Sequence, residues 1–582
     1  MRRLTVAGVL AFIVGGCSCD KSTGVDAGPV DAGPLVMAEK EPNDRPDSAL
    51  ELSGSAWVEA NLGADPAKPD EDWYVLKSAL PRTVELTVTS PPGADVVLEV
   101  MDETRTSLAL INAEGPGKTE RLPNLDVSGK AFVRVLAAKK GAGGAYTLTA
   151  IFKERQPGFE LEPNDRRVDA TAVPLGAALS GFVAHPNDQD WFRFELPTTG
   201  LPVEDAAGIF EADGGEVIDA GEAPVVDAGP AKEVPRLALR IEVSPIDGVG
   251  YDVQVLTEAE AVLFSAKSKD GSGLSLRNVG VRETDRVIYV VVKPSWQGTG
   301  KDAKRGFSTG TYYTLTVAQE EAGASSEFEP NDDLAHATPL TGGGYREGFL
   351  SSKGDLDCFK VETDGPSLVN VVVTGVEKID LVLSALKVGE KGDEVVLKAN
   401  DGAVKEPEML NNVACDNVCY FRVEAAARKV DGKWVKDDEN GEMSYRISPT
   451  VVADDGSQER EPNQTVETAM PVKLSAPVRG TVFPKKDVDY FLVDLSTRPV
   501  KTPLRATVTG ILKVDVGLYV HRIEDDGKLT LVQTSDGAKG DKAENVRFTA
   551  EPGRYIFEVR DSKSRDANFQ DFYQLTIDEA SE

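Results

Sequence analysis

The chain has 582 residues, of which 64 are basic and 96 acidic, so its formal net charge is −32. This length is too great for a single hydrophobic core and predicts several domains. The acidic balance excludes nucleic acid as a partner and electrostatic attraction to anionic lipid, and it favours solubility and cation binding.

The first 16 residues are predicted to be a lipoprotein signal peptide. Arg2 and Arg3 precede an apolar run, Leu4–Val14, that is too short to span a bilayer. The segment VGGC that ends at Cys17 resembles the lipobox of bacterial lipoproteins, whose Cys carries the lipid. The resemblance implies membrane anchoring through Cys17, and Ser18 favours the outer membrane or cell surface within the cell envelope. Ordinary cleavage that leaves Cys17 as an incidental thiol is the alternative.

Residues 17–37 contain the tract VDAGPVDAGP, which predicts a disordered tether that cannot bury a core. Segments of the same composition recur near residues 198–235, where they predict a solvated acidic insertion. No other stretch approaches 18 consecutive apolar residues, so no further membrane span is expected.

Two acidic motifs recur together four times along the chain. The ExEPN motif begins at Glu39, Glu160, Glu327 and Glu459, and the DxD motif begins at Asp70, Asp188, Asp355 and Asp487. From the second Glu of ExE to the first Asp of DxD there are 29 residues in the first copy and 26 in the others. Such self-similarity predicts tandem copies of one unit.

Each copy has the length of one ordinary domain. The predicted units are residues 38–153, 158–319, 325–453 and 458–582, and the insertion explains why the second is longer. The period is too long for a solenoid whose repeats support one another, so independent units resembling beads on a string are expected.

Short strands with apolar and polar residues in alternation are predicted in every unit, and no long amphipathic helix is predicted. One such set is Thr83–Val88, Leu237–Val243, Leu368–Val373 and Leu504–Val508. A strand led by Tyr closes each unit, beginning at Tyr146, Tyr312, Tyr445 and Tyr573. The predicted fold is all-β, with four tandem antiparallel β-sandwiches of jelly-roll type. The aromatic residues after DxD, namely Trp73, Trp191 and Tyr490, are predicted to anchor the cores.

The acidic motifs fit two interpretations equally well on the residues alone. Calcium prefers six to eight oxygen ligands, and two residues at i and i+2 of an extended segment face the same side. Both Asp residues of DxD are therefore expected to face one ion together with ExEPND. In the alternative interpretation, ExEPND is a turn with local side-chain hydrogen bonds and DxD is a charged strand edge.

ExEPND, DxD-aromatic, D-hydrophobic-x-L and a late G-x-Y-x-L together resemble the bacterial pre-peptidase C-terminal (PPC) domain. The resemblance covers all four units, and the collagen-binding domains of clostridial collagenases are similar. It implies β-sandwiches in secreted or surface proteins, with structural Ca²⁺ held by ExExND and downstream Asp residues. The implied metal ligands are Glu39, Glu41, Asn43, Asp44, Asp70 and Asp72; Glu160, Glu162, Asn164, Asp165, Asp188 and Asp190; Glu327, Glu329, Asn331, Asp332, Asp355 and Asp357; and Glu459, Glu461, Asn463, Asp487 and Asp489.

Two departures from the pattern bear on these sites. Gln464 replaces the last acid of the fourth ExEPND, so that site is expected to be the weakest. Three extra residues around Asp65–Pro69 alter the spacing in the first unit.

Five cysteines occur, and in an exported protein some are expected to pair. Cys415 and Cys419 are the predicted disulfide, because they are close in sequence beside a strand. Cys358 stands where other units carry Trp or Tyr and is predicted to be a buried core residue, and Cys19 is unassigned. A zinc site is the alternative for these thiols, although no His lies near them in sequence.

The sequence favours a non-catalytic role. HExxH and P-loop motifs are absent, and the GxSxG match at 306–310 leads into a predicted strand and not into the helix of a nucleophile elbow. The acidic pairs recur in every unit instead of marking one active site. The expected function is surface binding, adhesion or spacing in the cell envelope, with calcium stiffening the units and an extracellular protein or polysaccharide as ligand. The alternatives are an accessory subunit that docks a separate secreted hydrolase, and a hydrolase hidden in the insertion.

Overall fold

The computed structural model describes residues 33–197, 237–281, 285–298, 300–320, 325–390, 392–430, 432–538 and 540–580. The predicted signal peptide, Cys17, Cys19, most of the tether and the insertion near 198–235 lie outside these ranges. The described residues form β-strands and three short 3-10 helices, at Pro46–Ser48, Arg167–Asp169 and Gly300–Asp302. The predicted all-β class is therefore confirmed. None of these helices has the length or apolar character needed to cross a membrane.

The strands follow the chain in four groups. The first group is β1 Leu35–Ala38, β2 Leu50–Leu52, β3 Ala56–Leu62, β4 Glu71–Thr89, β5 Val96–Met101, β6 Ser107–Ile111, β7 Thr119–Ala137 and β8 Gly144–Glu154. The second is β9 Thr171–Ala172, β10 Ala178–Val183, β11 Asp190–Glu195, β12 Ala238–Val243, β13 Tyr251–Thr257, β14 Val262–Lys267, β15 Leu274–Gly280, β16 Val287–Pro294, β17 Trp296–Gln297, β18 Lys304–Arg305 and β19 Ser308–Glu320.

The third group is β20 Thr338–Leu340, β21 Arg346–Gly348, β22 Leu356–Glu362, β23 Ser367–Val373, β24 Leu381–Gly389, β25 Gly392–Ala399, β26 Glu408–Cys415, β27 Val418–Ala425, β28 Arg428–Val430, β29 Lys433–Val435 and β30 Tyr445–Ala453. The fourth is β31 Met470–Pro471, β32 Val478–Val482, β33 Val488–Asp494, β34 Thr502–Val508, β35 Val516–Ile523, β36 Leu529–Ser535, β37 Glu544–Ala550, β38 Arg554–Asp561 and β39 Asn568–Glu579. The strands predicted from alternation lie within these segments, except that β12 begins one residue after Leu237.

Each of the last three groups forms one five-stranded and one four-stranded sheet. In the fourth group the orders are β31-β33-β38-β35-β36 and β32-β39-β34-β37, and the second and third groups repeat this plan with an added two-stranded hairpin each. In the first group, β4 and β7 are 19 residues long and belong to both layers, which joins the strands into a single eight-stranded sheet. The paired strands are mostly antiparallel, as alternation with short turns predicts.

A separate apolar cluster fills the interior of each group, built from the inward residues of both layers. The aromatic residues after DxD do not belong to these clusters, so the prediction that they anchor the cores is wrong. Trp73, Trp191 and Tyr490 pack in small clusters on the outer side of the sheet. The second Asp of DxD points inward, and strand alternation turns the next side chain outward. Phe192 and Phe491, one position further on, occupy the main clusters.

The expectation of independent units is wrong at the joints between them. The second Glu of each later ExEPN motif forms a parallel bridge with the preceding unit, at Glu162, Glu329 and Glu461. Glu329, for example, donates its N–H to the Asn278 carbonyl at 3.0 Å, and its own carbonyl accepts the Gly280 N–H at 2.8 Å. Successive units are therefore joined by backbone hydrogen bonds and form a continuous β structure.

Side chains reinforce these joints. Arg155, between the first two units, forms two hydrogen bonds with the Asp126 carboxylate, at 2.7 and 2.6 Å. The Arg277 guanidinium lies 4.7 Å from the Phe349 ring in the next unit. A Cβ on Gly441 of the third unit would lie 1.8 Å from the Ser275 carbonyl oxygen of the second. Close packing of this kind restricts the relative motion of neighbouring units.

Candidate metal centres

Three carboxylates converge in every unit, contributed by both Glu residues of ExE and the second Asp of DxD. One oxygen atom from each lies within 4.8 Å of the others. The groups are Glu39, Glu41 and Asp72; Glu160, Glu162 and Asp190; Glu327, Glu329 and Asp357; and Glu459, Glu461 and Asp489. In the last three units all of these side chains are buried, whereas Glu41 in the first is exposed.

The ExEPN segment brings its residues to the site because it is extended and is held at both ends by hydrogen bonds. The first Glu accepts a backbone N–H from the strand that follows, as Glu459 does from Thr481 at 2.9 Å. In the first three units the second Glu accepts the N–H of its own Asn, as Glu329 does from Asn331 at 3.0 Å. The Asn carbonyl in turn accepts the N–H of the residue after DxD, which fixes the second Asp beside the two Glu residues.

A tyrosine on the last long strand of each unit completes the centre, and sequence reasoning missed its role. Its hydroxyl donates to the second Asp of DxD, at 2.7 Å from Tyr146 to Asp72 and at 2.6 Å from Tyr313 to Asp190. Tyr445 and Tyr573 make the same bond in the last two units. The recurrence of a Tyr-led closing strand was the available signal, but the pairing across the interior is not visible in the sequence.

The first Asp of DxD lies outside the group of three. It precedes the strand and accepts N–H groups of its own loop, as Asp355 does from Ser352 at 3.1 Å and Asp487 from Phe483 at 2.9 Å. Asp70 likewise accepts the Gly63 N–H. The strand begins after the first Asp in every unit, so the extended geometry that would direct both Asp residues toward one point does not include the first.

The last acid of ExEPND also lies apart from the three carboxylates. In the second unit Asp165 forms a separate group with Asp188 and His185. Asp44 is 3.8 Å from Lys68, and Asp332 is exposed. In the fourth unit Gln464 donates to Glu461 at 2.6 Å, so an amide stands where the other units have an acid. Whether these outer residues bind an ion stays a prediction.

The donor set suits a hard cation, because buried oxygens converge without enough hydrogen-bond donors. Within the described part of the chain, Glu162 Oε1, Asp190 Oδ1 and the Asn164 amide have no hydrogen-bond partner, although all are buried. In the first unit the Asn43 amide nitrogen donates to one oxygen each of Asp72 and Glu41, both at 3.1 Å. In the second unit the unpartnered oxygens are left for a cation to satisfy.

Burial dominates the electrostatics of these centres and raises the carboxylate pKa values. It raises the pKa of Asp72 to about 8, and that of Asp188 to about 7. The pKa values of Glu329 and Asp357 are raised well above the ordinary range, first by burial and then by neighbouring carboxylates. Without a cation, the ionised clusters are therefore costly.

The metal-free protein is expected to lose stability as the pH rises from about 4 to about 7. Folding raises the pKa of Asp355 from 3.8 to about 7, so in this range the folded chain holds protons that the unfolded chain has released. For one such group the loss is about 4 kcal/mol across the range. Thermal melting in chelator at about pH 5 and about pH 8, at constant ionic strength, measures the effect. A melting temperature that is equal or higher at the upper pH would contradict the expectation.

The thiols of the third unit are buried. Cys415 and Cys419 both contact the Val361 carbonyl oxygen, at 3.9 and 3.8 Å, and the structure holds both as thiols. Their disulfide stays a prediction. Cys358 is buried as expected, in a small cluster with Leu334 and Leu386.

Comparisons with known proteins identify no family for this chain. No family model matches it, and no curated protein matches it. Among solved structures, the pre-peptidase C-terminal domain of a collagenase from Bacillus anthracis is 15% identical, covering 20% of this chain and 97% of that one, with a TM-score of 0.16. A putative α-L-fucosidase from Bacteroides ovatus is 12% identical over 43% of this chain and 40% of that one, with a TM-score of 0.13. These scores are too low to support an inference about function.

Proposed function

We propose that this protein is a non-catalytic spacer or adhesion protein of the cell envelope whose units and joints are stiffened by Ca²⁺. One observation carries the proposal. In the last three units the same residue joins the preceding unit through its backbone and enters the acidic cluster through its side chain. Glu162, Glu329 and Glu461 all have this double role. A bound cation would thus hold the segment on which each joint depends.

Calcium is the proposed ion because the donors are oxygens. Three carboxylates and an Asn amide supply part of the six to eight ligands that Ca²⁺ takes, and water or the nearby outer Asp residues would supply the rest. Magnesium requires a near-ideal octahedron and retains most of its water, which suits an irregular set of buried side chains less well. A structural role is favoured because the cluster recurs in every unit and bonds to the strands that build it.

The sandwich type of each unit and the cellular location of the protein are part of the same proposal. We infer that each unit is one sandwich of the PPC type, on the basis of the ordered motifs and the two layers around each cluster. The signal peptide and Cys17 support a lipid anchor in the outer membrane or at the cell surface. A protein or polysaccharide is the proposed ligand, supported by Trp296 and Trp434, which are 63% and 71% exposed on short hairpins.

Calorimetric melting of the full chain in calcium and in chelator tests this proposal. At a hundredfold excess of Ca²⁺ over its dissociation constant, each occupied site is expected to add about 2.7 kcal/mol to the free energy of unfolding. The transitions should therefore move to higher temperature in calcium. Magnesium at the same concentration serves as the control and should shift them less. If calcium moves none of the transitions and titration calorimetry detects no binding, the proposal is wrong.

A further inference from the structure

We propose that cation binding in the fourth unit depends on Asn412, an asparagine supplied by the preceding unit, so that ion binding and joint closure are coupled. The other two joints carry an asparagine at the equivalent position, Asn124 and Asn278. This inference rests on the proposed calcium function and adds to it a residue from outside the unit. Asn412 acts as a positioning residue, because its amide contacts a carboxylate of the cluster.

All three asparagines share an unusual backbone. Their φ angles are +55°, +53° and +53°, in the left-handed region that Asn tolerates better than most residues. Each lies where the pairing register of its strand shifts, which marks a β-bulge. The bulge frees the Asn carbonyl and the N–H two residues later to pair with the next unit. At the last joint, Glu461 N–H donates to the Asn412 carbonyl at 2.9 Å and Ala414 N–H to the Glu461 carbonyl at 2.8 Å.

The side chain of the asparagine reaches the acidic cluster of the next unit. Asn412 Nδ2 donates to Glu459 Oε1 at 2.9 Å, and both residues are buried. Glu459 is the first Glu of its ExE motif, and its other oxygen accepts a bond from the Tyr573 hydroxyl at 3.2 Å. The amide therefore orients a carboxylate of the cluster from across the joint. Asn124 Nδ2 and Asn278 Nδ2 are buried at the other two joints and have no hydrogen-bond partner among the described residues, so the contact is made at the last joint.

The two ends of the chain fit this arrangement. The ExEPN segment of the first unit pairs with no earlier strand in the described residues, and its cluster is the open one, with Glu41 exposed. At the other end, Phe548 lies four residues after Glu544, as Asn412 lies four residues after Glu408. Strand β37, which contains Phe548, pairs with β34 without a register shift, so it lacks the bulge found at the three joints. The first cluster, and not the fourth as the substitution by Gln464 suggested, is consequently expected to bind calcium most weakly.

Asn412→Gly in the full chain distinguishes the contribution of the side-chain amide from that of the backbone bulge. Glycine adopts the left-handed conformation freely, so the bulge is retained while the amide is lost. We expect the calcium affinity of one site to fall at least about tenfold, the effect typical of losing a group that orients a metal ligand. Titration calorimetry measures the affinity. Hydrogen exchange at the Glu461 and Ala414 amides, with calcium and with chelator, measures the coupling, and calcium should protect these amides less in the variant than in wild type.

Lys513→Gly is the matched control, because Lys513 also has a positive φ, +67°, but is exposed in the turn between Ile511 and Val514 and does not belong to the acidic cluster. It should leave affinity and exchange unchanged. If wild type binds calcium and Asn412→Gly binds it equally tightly at every site, the coupling is refuted while the calcium function stands. Absence of binding to wild type refutes both. If Asn412→Gly does not fold, wild type alone provides a test: calcium should protect the Glu461 and Ala414 amides more than chelator does, and equal protection refutes the coupling.

Discussion

Glu329→Gln is expected to stabilise the third unit in chelator and to destabilise it in calcium. Glu329 is 2% exposed, its Oε1 atom has no hydrogen-bond partner among the described residues, and two more carboxylates of the cluster face it. At about pH 8 the neutral amide removes a buried charge, which is worth about 1–3 kcal/mol without metal. In calcium the variant loses a charged ligand and with it up to about 2.7 kcal/mol of binding stabilisation. The variant should therefore melt at a higher temperature than wild type in chelator and at a lower temperature than wild type in calcium.

Glu390→Gln is the control, since it removes the same charge from an exposed turn of the same unit. Calorimetry of both variants in calcium and in chelator measures the order of the transitions. The alternative interpretation, in which ExEPND is only a hydrogen-bonded turn, predicts that Glu329→Gln has the same effect in both conditions. An effect of one sign in both would therefore exclude a metal role for this cluster.

Gly480→Ala is expected to destabilise the fourth unit by about 1–3 kcal/mol and to abolish its cation site. A Cβ at this position would lie 2.2 Å from Glu459 Oε2 and 2.3 Å from the Tyr573 hydroxyl. Neither side chain can retreat easily, because both are buried and bonded within the cluster. Overpacking of an interior usually costs this much, and displacing Glu459 removes a ligand as well. Gly181 and Gly348 meet the same Glu–Tyr pair in their own units.

Gly537→Ala in the same unit is the matched control, because its Cβ would meet nothing within 4 Å in the described part of the chain. Calcium titration and the melting transition of the fourth unit measure both effects. Wild-type binding by Gly480→Ala would contradict the geometry of the centre. The first unit carries Ala60 opposite Tyr146 at the equivalent register, which accompanies its more open cluster.

Much of the fold could be predicted because strand patterning is local. Alternation located Leu504–Val508 within β34, and the repeated motifs gave the order of the units. The same alternation, counted from an inward-facing Asp72, would have predicted that the side chain of Trp73 faces outward. The prediction was wrong because it assigned the aromatic side chain to the core by size, while the buried Asp72 beside it had already taken the inward position.

The candidate centres could be predicted in part. Glu160, Glu162 and Asp190 were implied as ligands by the resemblance to the PPC domain, and the spacing of each pair fits it, because residues two apart on extended chain share a face. Spacing could not separate Asp188 from Asp190, since only the start of β11 decides which of them faces the cluster. Tyr313 lies 123 residues from its partner Asp190, so only strand pairing brings the two together.

By itself, the sequence determined that the chain is all-β, that its acidic motif pair is repeated four times and which residue types could bind a cation. These properties depend on residue identity and on spacing over a few positions. Only the tertiary structure decided that the units are joined, because the joints require the bulges at Asn124, Asn278 and Asn412 to meet a glutamate about 40–50 residues later in the chain. A backbone hydrogen bond between distant segments carries no local signature, since every residue except proline offers the same N–H and C=O groups.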